Sequence, residues 1–267
     1  MKYFFVVFIS ILLSAACQQR EVKVSPDLAK QELKMRGVEY SEKSFISAVK
    51  NGELRTVNAF LAAGMSPDVK NADGETPLTI AAQKGDVKAV KAVLDAGANI
   101  NGKDGKGDTP LLYAIRKDKP EIVNLLLERG ADVNAAGAEG RTPLMSASNK
   151  YQIDLVQKLL EKGANVNAAD AQGGTVLTEA AINNQPDLVR EFLSRGATVD
   201  HQEANGSNAL MYAAAGGRAE VVELLLKAGA RPDLKDAKGR TALDWARQIK
   251  RDDNARDNIV KMLQTAK

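Results

Sequence analysis

GDTPLLYAIRKDKPEIVNLLLERGADVNAAGAE, residues Gly107–Glu139, is one period of a pattern that fills most of the chain. Thr-Pro-Leu stands at Thr76-Pro77-Leu78, Thr109-Pro110-Leu111 and Thr142-Pro143-Leu144, a step of 33 residues. Weaker copies keep the step at Thr175-Val176-Leu177, Asn208-Ala209-Leu210 and Thr241-Ala242-Leu243. Gly64, Gly97, Gly130, Gly163, Gly196 and Gly229 share one phase, and Val57 to Val222 share another. Ala48, Ala81, Ala114, Ala147, Ala180, Ala213 and Ala246 mark the centre of seven units. The chain is a repeat array.

Each period encodes a pair of short helices. Thr109 precedes an apolar run, where its hydroxyl caps a helix start. Pro110 sits at the first helical position, where a missing N–H costs nothing. Leu111 and Ala114 share the buried face of that first helix. After the turn Lys117-Asp118-Lys119, a second helix runs from about Pro120 to Arg129, burying Val123, Leu126 and Leu127 at i, i+3 and i+4. Gly130 supplies the left-handed residue that ends it. Then Ala131-Asp132-Val133-Asn134 leads through a turn to Gly140. A pair of helices this short cannot bury its apolar face alone, so its stability must come from stacking.

These motifs (TPLxxAA, a second helix of the VxLLL type, then GADVN and a turn) resemble ankyrin repeats from about Ser41 to the C-terminus. The resemblance implies an all-α repeat solenoid of stacked helix pairs with β-turn or hairpin loops. The expected units are 41–73, 74–106, 107–139, 140–172, 173–205, 206–238 and a closing 239–267. One feature departs from the family. The His that usually follows TPL is replaced by Thr79, Leu112, Met145, Thr178, Met211 and Asp244, so the family's Thr–His hydrogen-bond network is expected to be missing.

The chain before residue 41 has a different character. Lys2 precedes the uncharged apolar run Tyr3–Leu13, eleven residues, too short for a bilayer span of about 20. Leu13-Ser14-Ala15-Ala16-Cys17 resembles the lipobox of bacterial lipoproteins, which implies cleavage after residue 16 and lipidation of Cys17. Ordinary secretory cleavage with an incidental Cys17 is the alternative. Gln18 follows Cys17 where an Asp would signal inner-membrane retention, so the resemblance implies a lipid anchor facing the periplasm, in the outer membrane of a Gram-negative bacterium. Residues 17–40 make a tether and a capping helix, opened by Ser25-Pro26-Asp27 and ended by Gly37. Leu28, Leu33 and Val38 are expected to cover the open face of unit one. At the other end Ile259-Val260 come five residues late, with the insertion around Ile249–Asn254, and Arg251, Asp252, Asp253, Arg256, Asp257 and Lys261 make a polar cap.

Composition fits a solenoid that packs Leu, Val and Ala rather than aromatic rings. Net charge is +3, or +2 once the single charge of Lys2 is removed, too mild for a nucleic-acid footprint. Cys17 is the only cysteine, so no intrachain disulfide forms. Catalytic signals are weak. His201, the only histidine, falls in a turn and reads as solvated. Gly102-Lys103-Asp104-Gly105-Lys106-Gly107 looks like a phosphate loop but sits at a β-turn, with no strand before it. No enzyme activity, cofactor, metal or small-molecule substrate is expected.

What remains is recognition of another protein by a monomeric module. The residue two after the Leu of TPL varies: Ser47, Ile80, Tyr113, Ser146, Glu179, Tyr212 and Trp245. In ankyrin proteins this place faces the concave groove, which makes Tyr113, Tyr212, Trp245 and Glu179 candidate contacts; rings anchor interfaces well. Packing against neighbouring helices is the competing role. Lys50, Lys84, Arg116, Lys117 and Lys150 form a basic stripe at the exits of the first helices, suited to steering an acidic partner or simply to solvation. Ala135, Ala136, Ala138, Ala168, Ala169 and Ala171 keep the middle turn tips small enough for close approach. The functional expectation is a membrane-anchored adaptor. Occlusion of a periplasmic enzyme such as a cell-wall hydrolase, and peptidoglycan binding, are the alternatives.

Overall fold

A computed structural model describes residues 25–248 and 253–266. The expected signal segment, Cys17 and most of the inserted turn lie outside the described residues. Ser25 caps α1 (Pro26–Met35), and the seven units follow as helix pairs. They are α2 (Glu42–Asn51) with α3 (Leu54–Ala62), α4 (Pro77–Lys84) with α5 (Val87–Asp95), and α6 (Pro110–Arg116) with α7 (Pro120–Glu128). Next come α8 (Pro143–Asn149) with α9 (Ile153–Glu161), and α10 (Val176–Ile182) with α11 (Pro186–Ser194). The last are α12 (Ala209–Ala215) with α13 (Ala219–Lys227), and α14 (Ala242–Ala246) with α15 (Asp253–Thr265). No strand forms among the described residues, so the fold is an all-α repeat solenoid.

The repeating residues do what their spacing demands. Each first helix is capped by the side chain of Ser41, Thr76, Thr109, Thr142, Thr175, Asn208 or Thr241. The seven central alanines are buried, as are Val57, Val90, Val123, Val156, Val189 and Val222, and together they join one continuous core. Gly130 adopts φ 83° and ends α7 as expected. The missing histidines are replaced locally. Thr79 Oγ1 accepts from Thr76 N at 2.8 Å and donates to Thr76 O at 2.9 Å; Thr178 does the same for Thr175. Asp244 Oδ2 accepts from both the N–H and the hydroxyl of Thr241. A reciprocal box therefore survives at several helix starts without histidine.

Two ladders tie the units together. Side-chain oxygens of Asp68, Asn101, Asn134, Asn167 and Asp200 accept from the backbone of the next unit at 2.8–2.9 Å. At the turn tips, Gly105 N donates to Asp73 O, Ala171 N to Glu139 O, Ala204 N to Gln172 O and Ala237 N to Asn205 O. The tip just before unit four differs: Ala138 N donates to the Asp108 carboxylate instead.

The capping helix differs from expectation at one residue. Leu33 and Ala29 are fully buried against unit one, and Val38 is half-buried, but Leu28 is 54% exposed. Leu33 and Ala29 lie four apart on one helix face, and Leu28 lies off it. Tyr40 seals the same junction, stacking on Phe60 at 5.8 Å and donating its hydroxyl to Ala63 O.

Candidate functional site

First helices of units two to six have seven or eight residues against nine in their second helices, and alanine stands at their centres. Their row packs more closely from unit to unit than the second-helix row does. The array therefore bends toward the first helices and presents them, with the turn tips, on its inner side.

Three aromatic residues predicted on that side are held by one repeated bond. Tyr113 Oη donates to Asp104 Oδ2 at 2.6 Å, Tyr212 Oη to Glu203 Oε2 at 2.6 Å, and Trp245 Nε1 to Asp236 Oδ2 at 3.0 Å. In each pair the acid stands nine residues earlier. Asp104 and Asp236 also organise their turns: Asp104 Oδ1 accepts from Lys106 N and Asp108 N, and Asp236 Oδ1 from Lys238 N and Arg240 N. The ring thus clamps the turn to the helix. Tyr113 is only 8% exposed, with most of its surface spent on packing. Tyr212 and Trp245 are half-buried and meet edge-to-face at 5.7 Å, with the Arg240 guanidinium 4.7 Å over the indole.

The charges follow from these contacts. Burial would raise the Asp104 carboxyl, but the Tyr113 hydrogen bond and the N–H groups of Asp108 and Lys106 outweigh it and hold it below the usual aspartate range. Burial, then the Asp104 hydrogen bond, pushes the Tyr113 hydroxyl above the ordinary tyrosine value. Asp236 behaves as Asp104 does. Burial is opposed by the Arg240 N–H, the Arg240 guanidinium and the Trp245 indole, which leave the carboxyl far below its ordinary value. The proton stays on the Tyr113 hydroxyl, and Asp104 and Asp236 stay ionised.

Glu179 occupies the ring position in unit five. Its Oε1 meets Arg141 at 2.6 Å, and Asp170, the acid nine residues earlier, lies 3.9 Å from the same guanidinium. Unit four has neither partner: Gly137 replaces the acid and Ser146 the ring.

The basic stripe divides. Lys50 pairs with Glu75 at 3.3 Å, Lys84 donates to the Lys50 carbonyl, and Arg116 pairs with buried Asp108 at 2.5 Å. Lys117 and Lys150 are exposed at the ends of α6 and α8, with no side-chain partner among the described residues. Farther along, the same row becomes Ile182, 45% exposed, with Asn183, Ala215 and Gly216. The inner face is thus cationic in its first half and apolar to neutral in its second. Ala135, Ala136 and Ala138 are half-buried beside it at the tips.

His201 corrects its expectation. It is half-buried, and its Nε2 lies 2.8 Å from Gly173 O, so that nitrogen carries the proton and the ring ties two turns together. The glycine-rich run near Gly105 is a turn tip, with Asp104 capping it. Among the described residues there is no cluster of metal-binding side chains, and no helix is long and apolar enough to cross a membrane. The clamping acids were missed in sequence reasoning, although the constant spacing of nine was visible.

No curated protein matches the chain. Among solved structures, the chain is similar to the ankyrin repeat domain of Bcl-3, a member of the IkappaB family (29% identity, TM-score 0.69, 82% of this chain and 97% of that one). It is also similar to the human ASB11 ankyrin repeat domain (28% identity, TM-score 0.66, 81% and 96%). Ankyrin repeats are general protein–protein interaction modules, in a family of non-enzymatic binding domains. The family model for ankyrin repeats matches residues 45–137, 136–203 and 177–266, and the chain belongs to the ankyrin-repeat family.

Proposed function

We propose that the protein is a monomeric, membrane-anchored adaptor that binds one partner protein across its inner face. The observation that carries this reading is the division of that face. Lys117 and Lys150 stand free at the ends of successive first helices, and Ile182 continues their row as an exposed apolar side chain. Ile182 is not among the hydrophobic side chains packed in or against the core. A partner with an acidic edge and an apolar patch complements it, the charges guiding encounter and the apolar part holding the complex. Lipidation of Cys17 places the module at the periplasmic surface of a membrane, with residues 18–24 as the spacer.

The face is tested by capture from a cell-envelope extract with the parent chain and a Lys117→Glu/Ile182→Asp double variant. Both substituted side chains are exposed, so helicity should be unchanged. Capture of one protein by the parent and its loss in the variant is the expected result. Capture of the same set by both overturns the face assignment. For the anchor, cells fed a labelled fatty acid should label the parent and not Cys17→Ser; an unlabelled parent removes the lipoprotein reading.

A further inference from the structure

The repeat makes unit four conspicuous. At the ring position, units three, six and seven carry Tyr113, Tyr212 and Trp245, and unit five carries Glu179 under Arg141. Ser146 is small, and the acid that a ring would meet is Gly137. A Cβ on Gly137 would lie 2.2 Å from Asp108 Oδ1, because Asp108 reaches under this turn to take the Ala138 N–H. The result is a notch of about 190 Å³ on the inner face, lined by Arg116, Arg141, Ser146, Asn149 and Lys150.

Its polar groups are not used up. Ser146 is 5% exposed, yet its Oγ has no hydrogen-bond partner among the described residues, an uncommon state for a buried hydroxyl. Arg116 gives one terminal nitrogen to Asp108, and Arg141 gives one to Glu179. Their remaining N–H groups have no described acceptor, and a guanidinium carries five in all. Lys150 at the rim has no carboxylate. Asp170, 3.9 Å from Arg141, has its other oxygen taken by the Gln172 and Gly174 N–H groups. Glu179 Oε2 is also unpartnered but does not line the notch. Lys150, exposed at the rim, is thus a cation with no carboxylate of its own, beside a recess the size of a side chain lined by donors.

We propose that this notch is the anchor point of the inner face and takes a single carboxylate, the Asp or Glu side chain of the protein partner. The inference rests on the partner-binding reading above. The donor set suits a monoanion: Ser146 O–H, the free guanidinium N–H groups and Lys150 converge on it. A phosphate dianion would bring a second charge close to Asp108 and Glu179, which already occupy the two arginines.

The test uses the full chain and capped peptides, acetyl-Ala-Glu-Ala-amide against its Gln analogue, followed by saturation-transfer NMR on the peptide methyls, with inorganic phosphate as competitor. The Glu peptide should bind about two- to fivefold tighter than the Gln peptide, the effect of one ion pair at a surface. Lys150→Glu, at an exposed site, should remove that preference without lowering the melting temperature. Ser146→Tyr should fill the notch and abolish binding. If Ser146→Tyr does not fold, Ser146→Ala should weaken the Glu peptide while sparing the fold. Equal binding of the two peptides, an unaffected Lys150→Glu variant, or tighter binding of phosphate than of the Glu peptide each overturns the assignment. Failure here leaves the face intact if Lys117→Glu/Ile182→Asp still loses the partner. Peptide binding without partner capture keeps the notch and removes the face.

Discussion

Tyr113 shows how a single side chain joins two local structures. Its ring packs in the first-helix row while its hydroxyl satisfies Asp104, which in turn holds the Lys106–Asp108 turn. Replacing it by Phe keeps the packing and leaves a buried carboxylate oxygen without its donor. Tyr113→Phe should cost about 1.5–3 kcal/mol in urea unfolding, the range for a hydrogen bond to a charged group. Asp236 gives the matching pH effect. Its folded carboxyl is held far below the ordinary aspartate value, so it contributes stability above about pH 3.9 that is lost as pH falls through the lower folded value. The melting temperature of Asp236→Asn should lie below that of the parent at pH 5 and converge with it toward pH 2. A constant gap across that window would show that the charge is not the stabilising part.

At the scale of the helix, stability is decided at the start of each first helix. Thr175 and Thr178 form a buried box in which each hydroxyl serves the other's backbone. Thr178→Val conserves shape but removes the acceptor for Thr175 N. It should destabilise by about 1–3 kcal/mol, the cost of an unpaired buried group, measured by denaturant midpoint at unchanged slope. At Leu112 the corresponding place holds no acceptor, and the cap there is the single Thr109 hydroxyl, 3.3 Å from Leu112 N. Histidine is thus one solution among several for this position, because the requirement is a short side-chain acceptor in the first turn, which Thr and Asp also meet.

For the whole molecule, the units bury their faces only against neighbours, so energetic effects should stay near the change. Helix α1 covers unit one with Leu33 and Ala29. A chain beginning at residue 39 should lose amide-exchange protection in α2 and α3 and keep it in α12 and α13. Uniform loss along the array would show that the solenoid unfolds as one unit. The turn leading into unit four is the irregular one, because its tip N–H, on Ala138, turns to the Asp108 carboxylate. The notch at Ser146 lies beside that same turn.

The amino-acid sequence carries the architecture in its letters: the period of 33 sets the unit, the capping Thr and Asn start its first helices, and the recurring Gly ends its second. These are local backbone requirements, and local residues state them. It also located the inner-face row, since variation between otherwise agreeing units is visible in the letters. Whether Tyr113 is displayed or packed was decided by tertiary structure, because its partner Asp104 is brought to it by the folded turn. The same holds for His201, whose partner Gly173 stands 28 residues earlier in the chain, and for Leu28, one turn position away from the buried face. The notch at Ser146 needed the fold most of all. Its walls, Arg116 and Arg141, come from different units, and a recess between stacked elements exists only when stacking has placed both sides.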